Sequence, residues 1–181
     1  EAMNAILKKI EEVAKLETDI NTKIDTLFQS VVFKFNTKEF LNQLEHSTIY
    51  GRRFARYILR KVDFLLDAPL YSERRNSYGQ MTVEHVLPQT PKEDSQWNKD
   101  FTEEEKEEWT HKLGNLVLIS RRKNSGQGRL DFSDKKTKYF TNSIETFPNS
   151  IRIMQKPQWT ISELKENHNQ LINIIKAYYN I

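Results

Sequence analysis

The chain has 181 residues, a formal net charge of +3 at pH 7 and no cysteine. This length suffices for one domain with its own core, with or without a helical extension. Without cysteine the chain forms neither disulfides nor cysteine-based zinc sites, which suits the reducing cytoplasm where we expect it. No apolar run approaches the roughly 20 residues that span a bilayer, and no secretory signal is recognisable, so we expect neither a membrane span nor secretion.

The first part of the chain is predicted to be helical. Apolar residues recur at helical spacing over Met3–Phe28, which predicts one long helix with a narrow apolar stripe. Asn36 and Thr37 are both suitable caps for a second helix, and a third is predicted over about Arg52–Leu66. We interpret residues 1–48 as a helical linker or arm that precedes the main domain.

The second half of the chain combines short strands with helices. The predicted strands are Met81–Val83 and Leu113–Ile119, and the predicted helices begin at Thr102, Ser133 and Thr160, the first ending near Lys112 and the second near Ile144. Thr102 and Thr160 are each followed three residues later by a glutamate, which is the pattern of a capping box. The chain as a whole therefore indicates a mostly helical α+β fold.

Basic residues concentrate between Leu118 and Phe140. This segment holds seven of them against two aspartates: Arg121, Arg122, Lys123, Arg129, Lys135, Lys136 and Lys138. Segregated charge of this kind can make one face of a protein attractive to phosphate. Charge alone favours the alternative interpretation, which is a set of solvated helix faces.

The most informative residues surround His85. It follows Glu84 after the first predicted strand, while Asn115 lies in the second strand and Asn124 lies in the loop beyond it. A neutral imidazole can accept a proton from water at pH 7. A carboxylate and an amide carbonyl are oxygen ligands suited to Mg²⁺ or Mn²⁺, and the Asn115 amide can pin the loop that holds His85. Together these residue types fit the hydrolysis of a phosphodiester.

Four motifs in a fixed order relate the chain to a known family. They are Glu84–Gln89, a tryptophan in the insert (Trp97 or Trp109), Leu113–Ile119, and Asn124. In this order and at these spacings they resemble the C-terminal HNH-type nuclease domain of GmrSD-like type IV restriction enzymes, which also occurs in phage-defence proteins. The likeness extends from about Arg52 to the C-terminus, and we assign residues 49–181 to the nuclease domain.

The resemblance implies a ββα-metal (His-Me finger) motif embedded in a helical domain, and a metal-dependent DNA endonuclease or nickase. It implies that His85 is the general base, that Asn115 is the middle residue of the catalytic motif, and that Glu84 and Asn124 are ligands of one divalent ion, Mg²⁺ or Mn²⁺. In relatives a nucleotide-hydrolysing domain precedes this one. We therefore expect an N-terminal domain of that kind in the full-length protein, and the first three residues read as the edge of an excised fragment.

Some residues near the motifs keep a second interpretation. Glu84 is either a metal ligand or a member of a surface ion pair, and Asn115 either supports the site or only caps a turn. His46 and His111 have no partner motif in the sequence, so we interpret both as ordinary surface or boundary residues.

The basic residues that flank the predicted site also allow two interpretations, as DNA contacts or as solvated side chains: Arg121, Arg122, Lys123 and Arg129. The rival function for the whole chain is a non-catalytic DNA-binding or regulatory module that keeps the nuclease fold. Cleavage of DNA in the presence of a divalent metal distinguishes the two functions.

Overall fold

The computed structural model of the chain describes residues 2–34, 36–73, 81–121, 128–140 and 147–181. Its helices are α1 (Ala2–Ala14), α2 (Ile20–Gln29), α3 (Thr37–His46), α4 (Ala55–Leu66), α5 (Ala68–Glu73), α6 (Trp97–Asp100), α7 (Glu103–Trp109), α8 (Phe132–Phe140), α9 (Pro148–Met154) and α10 (Ile161–Tyr179). Its strands are β1 (Met81–His85) and β2 (Leu116–Ser120), and two 3-10 turns cover Val31–Phe33 and Leu113–Asn115. Among these helices, none combines the length and the apolar character that crossing a membrane requires.

The chain divides into two compact units, one up to Phe40 and the other from Leu41 onward. In the first unit, the prediction of one long helix over Met3–Phe28 is wrong, because the segment forms α1 and α2 with a break between them. The Asp19 carboxylate accepts hydrogen bonds from the backbone N–H groups of Asn21 and Thr22, at 2.9 and 3.1 Å. An aspartate that caps a new helix competes with continuation of the preceding one, which accounts for the break.

The predicted helix starts are confirmed where side-chain caps defined them. Asn36 accepts from the Glu39 N–H at 3.0 Å at the start of α3. Thr102 and Thr160 each form a complete capping box, with Glu105 and Glu163 respectively. Helix α4 begins at Ala55, three residues later than predicted, and α7 ends at Trp109, three residues before the predicted end.

The two strands form one antiparallel sheet, with Met81 opposite Ser120 and His85 opposite Leu116. The first strand extends two residues beyond its predicted end, and the second begins at Leu116 rather than at Leu113. Residues Leu113–Asn115 form a 3-10 turn instead, because the Asn115 N–H donates back to the Lys112 carbonyl at 3.0 Å. The fold is mostly helical with a small sheet, as the sequence predicts for the α+β class.

A buried apolar cluster surrounds the sheet and the chain that follows β1. It comprises Val86, Leu87, Trp97, Phe101, Val117, Ile119, Phe132, Ile153, Met154, Trp159 and Leu164. The Trp97 indole N–H is not left unsatisfied in this core, since it donates to the Leu130 carbonyl at 2.9 Å. The core therefore holds the end of β1 and the start of β2 together, and the functional residues lie at this position.

Buried polar side chains fix β2 from the other side. The Asn149 side chain on α9 donates to the Leu116 carbonyl at 3.3 Å, and the Asn149 backbone N–H donates to the Asp63 carboxylate on α4 at 2.9 Å. Both Asp63 and Asn149 are almost completely buried. Because a buried polar group is costly without a partner, this chain of bonds specifies how α4, α9 and β2 meet.

Candidate functional site

His85 is the last residue of β1 and is nearly inaccessible, with 4% of its surface exposed. Its Nε2 lies 3.1 Å from Nδ1 of His111, and its ring is 4.2 Å from the Tyr50 ring, centroid to centroid. Burial lowers the pKa of His85 to about 3, and the charges of His111 and Lys135 contribute in the same direction. The imidazole is therefore neutral at pH 7, which is the form that can accept a proton.

The Asn115 side chain is fully buried and joins two segments of the site. Its Oδ1 accepts from the Leu87 N–H at 2.8 Å, and its Nδ2 donates to the carbonyls of Leu87 and Thr110 at 2.9 and 2.8 Å. The Asn115 carbonyl also accepts from the Val86 N–H at 2.9 Å. The amide thus fixes the backbone immediately after His85 to the backbone that precedes the 3-10 turn.

Glu84 forms an ion pair, but a buried one rather than the surface pair considered as its alternative. Only 6% of Glu84 is exposed, and its Oε1 accepts from Nζ of Lys135 at 2.9 Å. Lys135 is completely buried and also donates to the His85 carbonyl at 2.6 Å. Burial lowers the pKa of Lys135, while the Glu84 charge opposes that shift. Lys135, counted with a basic segment that was interpreted as solvated, therefore belongs to the interior of the site.

Glu84 and His85 both face one cleft of about 410 Å³. Its lining residues are Tyr50, Val83, Glu84, His85, Gln89, Thr90, Gly128 and Arg129. A carboxylate residue and a neutral imidazole residue thus line the same cleft.

The predicted DNA-contacting residues are only partly within the described chain. Arg129 lies at the cleft and donates to the carbonyls of Thr90 and Pro91, at 2.7 and 3.3 Å. Arg121 is exposed directly after β2. Arg122, Lys123 and the predicted metal ligand Asn124 lie outside the described residues.

The donors for a metal ion are few in this part of the chain. Within the described ranges, no group of three or more His, Asp or Glu side chains is arranged to hold a metal. Glu84 offers a carboxylate at the cleft, with one oxygen bonded to Lys135. Mg²⁺ commonly uses one or two carboxylates together with substrate phosphate and waters. Among the described residues, Glu84 is therefore a candidate donor for an ion shared with a substrate, and no closed protein cage is present.

Three residues of the site, His111, Tyr50 and Lys135, could not be predicted from the sequence. His111 is half-buried, as predicted for a boundary residue, but it also lies against His85, a contact that the sequence did not predict. His46, interpreted in the same way, is indeed exposed. The one indication in the sequence was that His111 lies just before the turn that contains Asn115. Its partner is 26 residues earlier, however, and only the antiparallel pairing of β1 and β2 brings the two together.

The fold and the site together define a helical α+β domain with a histidine-centred polar site, placed where two short strands meet a cleft. The sequence profile of the family described as GmrSD restriction endonucleases, C-terminal domain, matches residues 35–174. The chain therefore belongs to this family, as its motifs predicted, and is a domain of restriction-endonuclease type. No curated protein matches the chain at a significant level. The matched range includes both strands and every site residue named above.

Proposed function

We propose that this domain is a metal-dependent DNA endonuclease or nickase of the HNH type, in which His85 is the general base. The observation that carries the proposal is the placement of a neutral imidazole beside a carboxylate on the same cleft. The ββα-metal motif then consists of β1, β2 and a helix that follows them in the chain. Asn115 holds the strand ends in register with the site.

In the proposed reaction His85 removes a proton from a water molecule, and the resulting hydroxide attacks the phosphorus of the DNA backbone. A base with a pKa of about 3 is weak, but a bound phosphate adds negative charge near the ring. Negative charge favours the protonated imidazole, so the phosphate shifts the pKa of His85 upward, whereas a divalent ion held by Glu84 would shift it downward.

A bound Mg²⁺ or Mn²⁺ would neutralise the scissile phosphate and the leaving oxygen. Glu84 and Asn124 are the residues proposed to hold it. The basic residues proposed to grip the DNA backbone are Arg121, Arg122, Lys123 and Arg129. Two of the Arg129 donors already bind backbone carbonyls, so this side chain is held in place at the cleft rather than free to search for a phosphate.

The wider role is also a proposal. A restriction or phage-defence system acts on DNA inside the cell, so we place the protein in the cytoplasm. We assign recognition of the DNA to a nucleotide-hydrolysing domain that precedes this one in the full-length protein. No element of the described chain needs to read bases for the cleavage chemistry proposed here.

Plasmid cleavage in Mg²⁺ or Mn²⁺, with EDTA as the blank, tests the proposal. His85→Ala should reduce the cleavage rate by about 10²–10⁴-fold, because the proton acceptor is removed. The matched control is His46→Ala, an exposed histidine whose loss should leave the rate unchanged. Thermal unfolding of both variants should show that they are folded. If His85→Ala cleaves as fast as the wild type, the assignment of the base is wrong.

One observation favours a second function, a DNA-binding or regulatory module without catalysis. Lys135 already neutralises Glu84, and this competes with a metal ion for the carboxylate. Such a module predicts DNA binding that weakens with salt, since phosphate contacts release counterions. It also predicts no turnover in either metal, so the same plasmid assay separates the two functions.

A further inference from the structure

Three aromatic rings form a closed cluster at the candidate base. The rings of Tyr50 and His111 are stacked, with centroids 5.4 Å apart and an angle of 16° between their planes. His85 meets both rings edge to face, at 4.2 Å from Tyr50 and 5.1 Å from His111. The His85 ring is therefore confined by two neighbours, and one of them, His111, lies within hydrogen-bond distance of it.

The backbone of His111 is fixed as firmly as that of His85. Its carbonyl accepts from the backbone N–H groups of Ile49 and Tyr50, at 2.9 and 3.2 Å. The preceding carbonyl, that of Thr110, accepts from the Asn115 side chain. Since the same amide binds Leu87, one buried side chain sets the spacing between the two histidines.

The hydrogen bond between the two rings restricts where their protons lie. A neutral imidazole has one nitrogen that donates and one that accepts. The contact between Nε2 of His85 and Nδ1 of His111 therefore needs a proton on one of these two atoms. If His111 were the donor, His85 would carry its own proton on Nδ1 and could not act as a base. If His85 is the donor, its Nδ1 keeps a free lone pair.

We infer that His111 is a positioning residue for the base: its Nδ1 accepts from Nε2–H of His85 and holds Nδ1 of His85 ready to take a proton. This inference rests on the proposed function. In the step, a water O–H bond breaks, the proton forms a bond to Nδ1 of His85, and the electron pair stays on the hydroxide that attacks phosphorus. The Nε2–H bond to His111 persists throughout, so the ring keeps its orientation when it becomes cationic.

Two substitutions of His111 test the inference, one that removes the hydrogen-bond acceptor and one that restores it. His111→Phe keeps a ring for Tyr50 to stack on but removes the acceptor, and His111→Asn restores an oxygen close to the position of Nδ1. We expect His111→Phe to lower kcat by up to about 100-fold with little change in KM, as for a misplaced reacting group. His111→Asn should recover most of that loss. Equal rates for wild type and His111→Phe, or equal losses in both variants, would overturn the inference.

A second measurement does not depend on catalysis. Two-bond ¹H–¹⁵N correlation spectra of the wild-type protein, assigned with His85→Ala and His111→Phe, report the tautomer of each ring. We expect His85 protonated on Nε2 and His111 unprotonated on Nδ1. A proton on Nδ1 of His85 contradicts the inference, even if the nuclease is active. Loss of the proposed function itself is recognised separately, by His85→Ala cleaving at the wild-type rate.

Discussion

At the scale of single residues, Lys135 is a buried cation that joins two parts of the site. Its ammonium group contacts the Glu84 carboxylate and the His85 carbonyl, and no part of it is exposed. A buried charge that loses its partner is far more costly than a surface charge, because the low dielectric interior does not solvate it. Lys135 and Glu84 are therefore expected to tolerate removal together better than removal of either alone.

Lys135→Met should lower the free energy of unfolding by about 3–5 kcal/mol, since it leaves the Glu84 charge buried and unpaired. The double variant Lys135→Met/Glu84→Gln should recover a substantial part of this loss. Urea unfolding at pH 7 in metal-free buffer measures both effects. Lys99→Met, at an exposed position of α6, is the matched control and should change stability by less than about 0.5 kcal/mol. A double variant as unstable as Lys135→Met alone would show that the charge of Glu84 is not the cause.

His85 and Asn115 could be predicted from the sequence because both belong to short ordered motifs at the ends of strands. His111, Tyr50 and Lys135 could not. Lys135 lies 51 residues from Glu84 in the chain, and it looks like any other lysine in a basic segment. The contacts that define these three residues depend on how the strands and helices pack, and local sequence does not record that packing.

At the scale of elements, the 3-10 turn before β2 is where the long helix α10 meets the sheet. The His168 ring accepts from the Gly114 N–H at 3.2 Å, and the Asn167 side chain donates to the Gly114 carbonyl at 2.6 Å. An added Cβ at Gly114 would lie 2.5 Å from Cβ and 2.8 Å from Cα of His168. Glycine is thus required here because the helix backbone approaches the turn so closely.

Gly114→Ala is expected to lower the free energy of unfolding by at least about 1–3 kcal/mol, the usual cost of overpacking, because α10 must move away from the turn. Gly128→Ala is the control, since a Cβ at that glycine would meet no atom within 4 Å. Chemical denaturation of both variants gives the comparison. Equal free energies of unfolding for the two variants would mean that α10 can move away from the turn without loss of stability, which contradicts the prediction.

The helix starts could be predicted from the sequence more accurately than the start of β2. Capping boxes at Thr102 and Thr160 were recognisable because each involves two side chains only three residues apart. The start of β2 was misplaced because only Gly114 and Asn115 separate Leu113 from the apolar run Leu116–Ile119. The turn exists because of α10, which lies more than 50 residues further along the chain.

At the scale of the whole molecule, two buried histidines make stability depend on pH. Burial lowers the pKa of His168 as well as that of His85. The His168 ring is satisfied when neutral: Nδ1 accepts from Gly114, and Nε2 can donate to the Glu45 carbonyl at 3.1 Å. Protonation of Nδ1 would break the bond to Gly114. The folded chain therefore binds fewer protons than the unfolded chain when the pH falls below about 6.5, the ordinary histidine pKa.

The free energy of unfolding should consequently decrease as the pH falls from 6.5 to 5, by up to about 1.4 kcal/mol per pH unit for each histidine. Urea unfolding at several pH values in metal-free buffer measures the slope. His168→Gln should be less stable at pH 7 and should show a shallower slope. His46→Gln, which changes an exposed histidine, should keep the wild-type slope. An unchanged slope in His168→Gln would exclude that residue as a source of the pH dependence.

The class of the fold could be predicted because helices, caps and two short strands all leave local signals. The assembly of the site could not be derived from those signals alone. It requires β1 and β2 to pair across an insert that itself contains α6 and α7. Only the ordered motifs, through their likeness to a family, predicted that these segments share one site.

The hydrogen bonds of the Asn115 amide have a consequence for the folding of the protein. It binds Leu87, 28 residues earlier in the chain, and closing a loop of that length costs on the order of 3 kcal/mol in chain entropy. The cost is met only when the strands and the core close together, so a partly folded or newly synthesised chain holds no assembled centre. Under the proposed nuclease function, a chain whose strands have not paired would lack the assembled site.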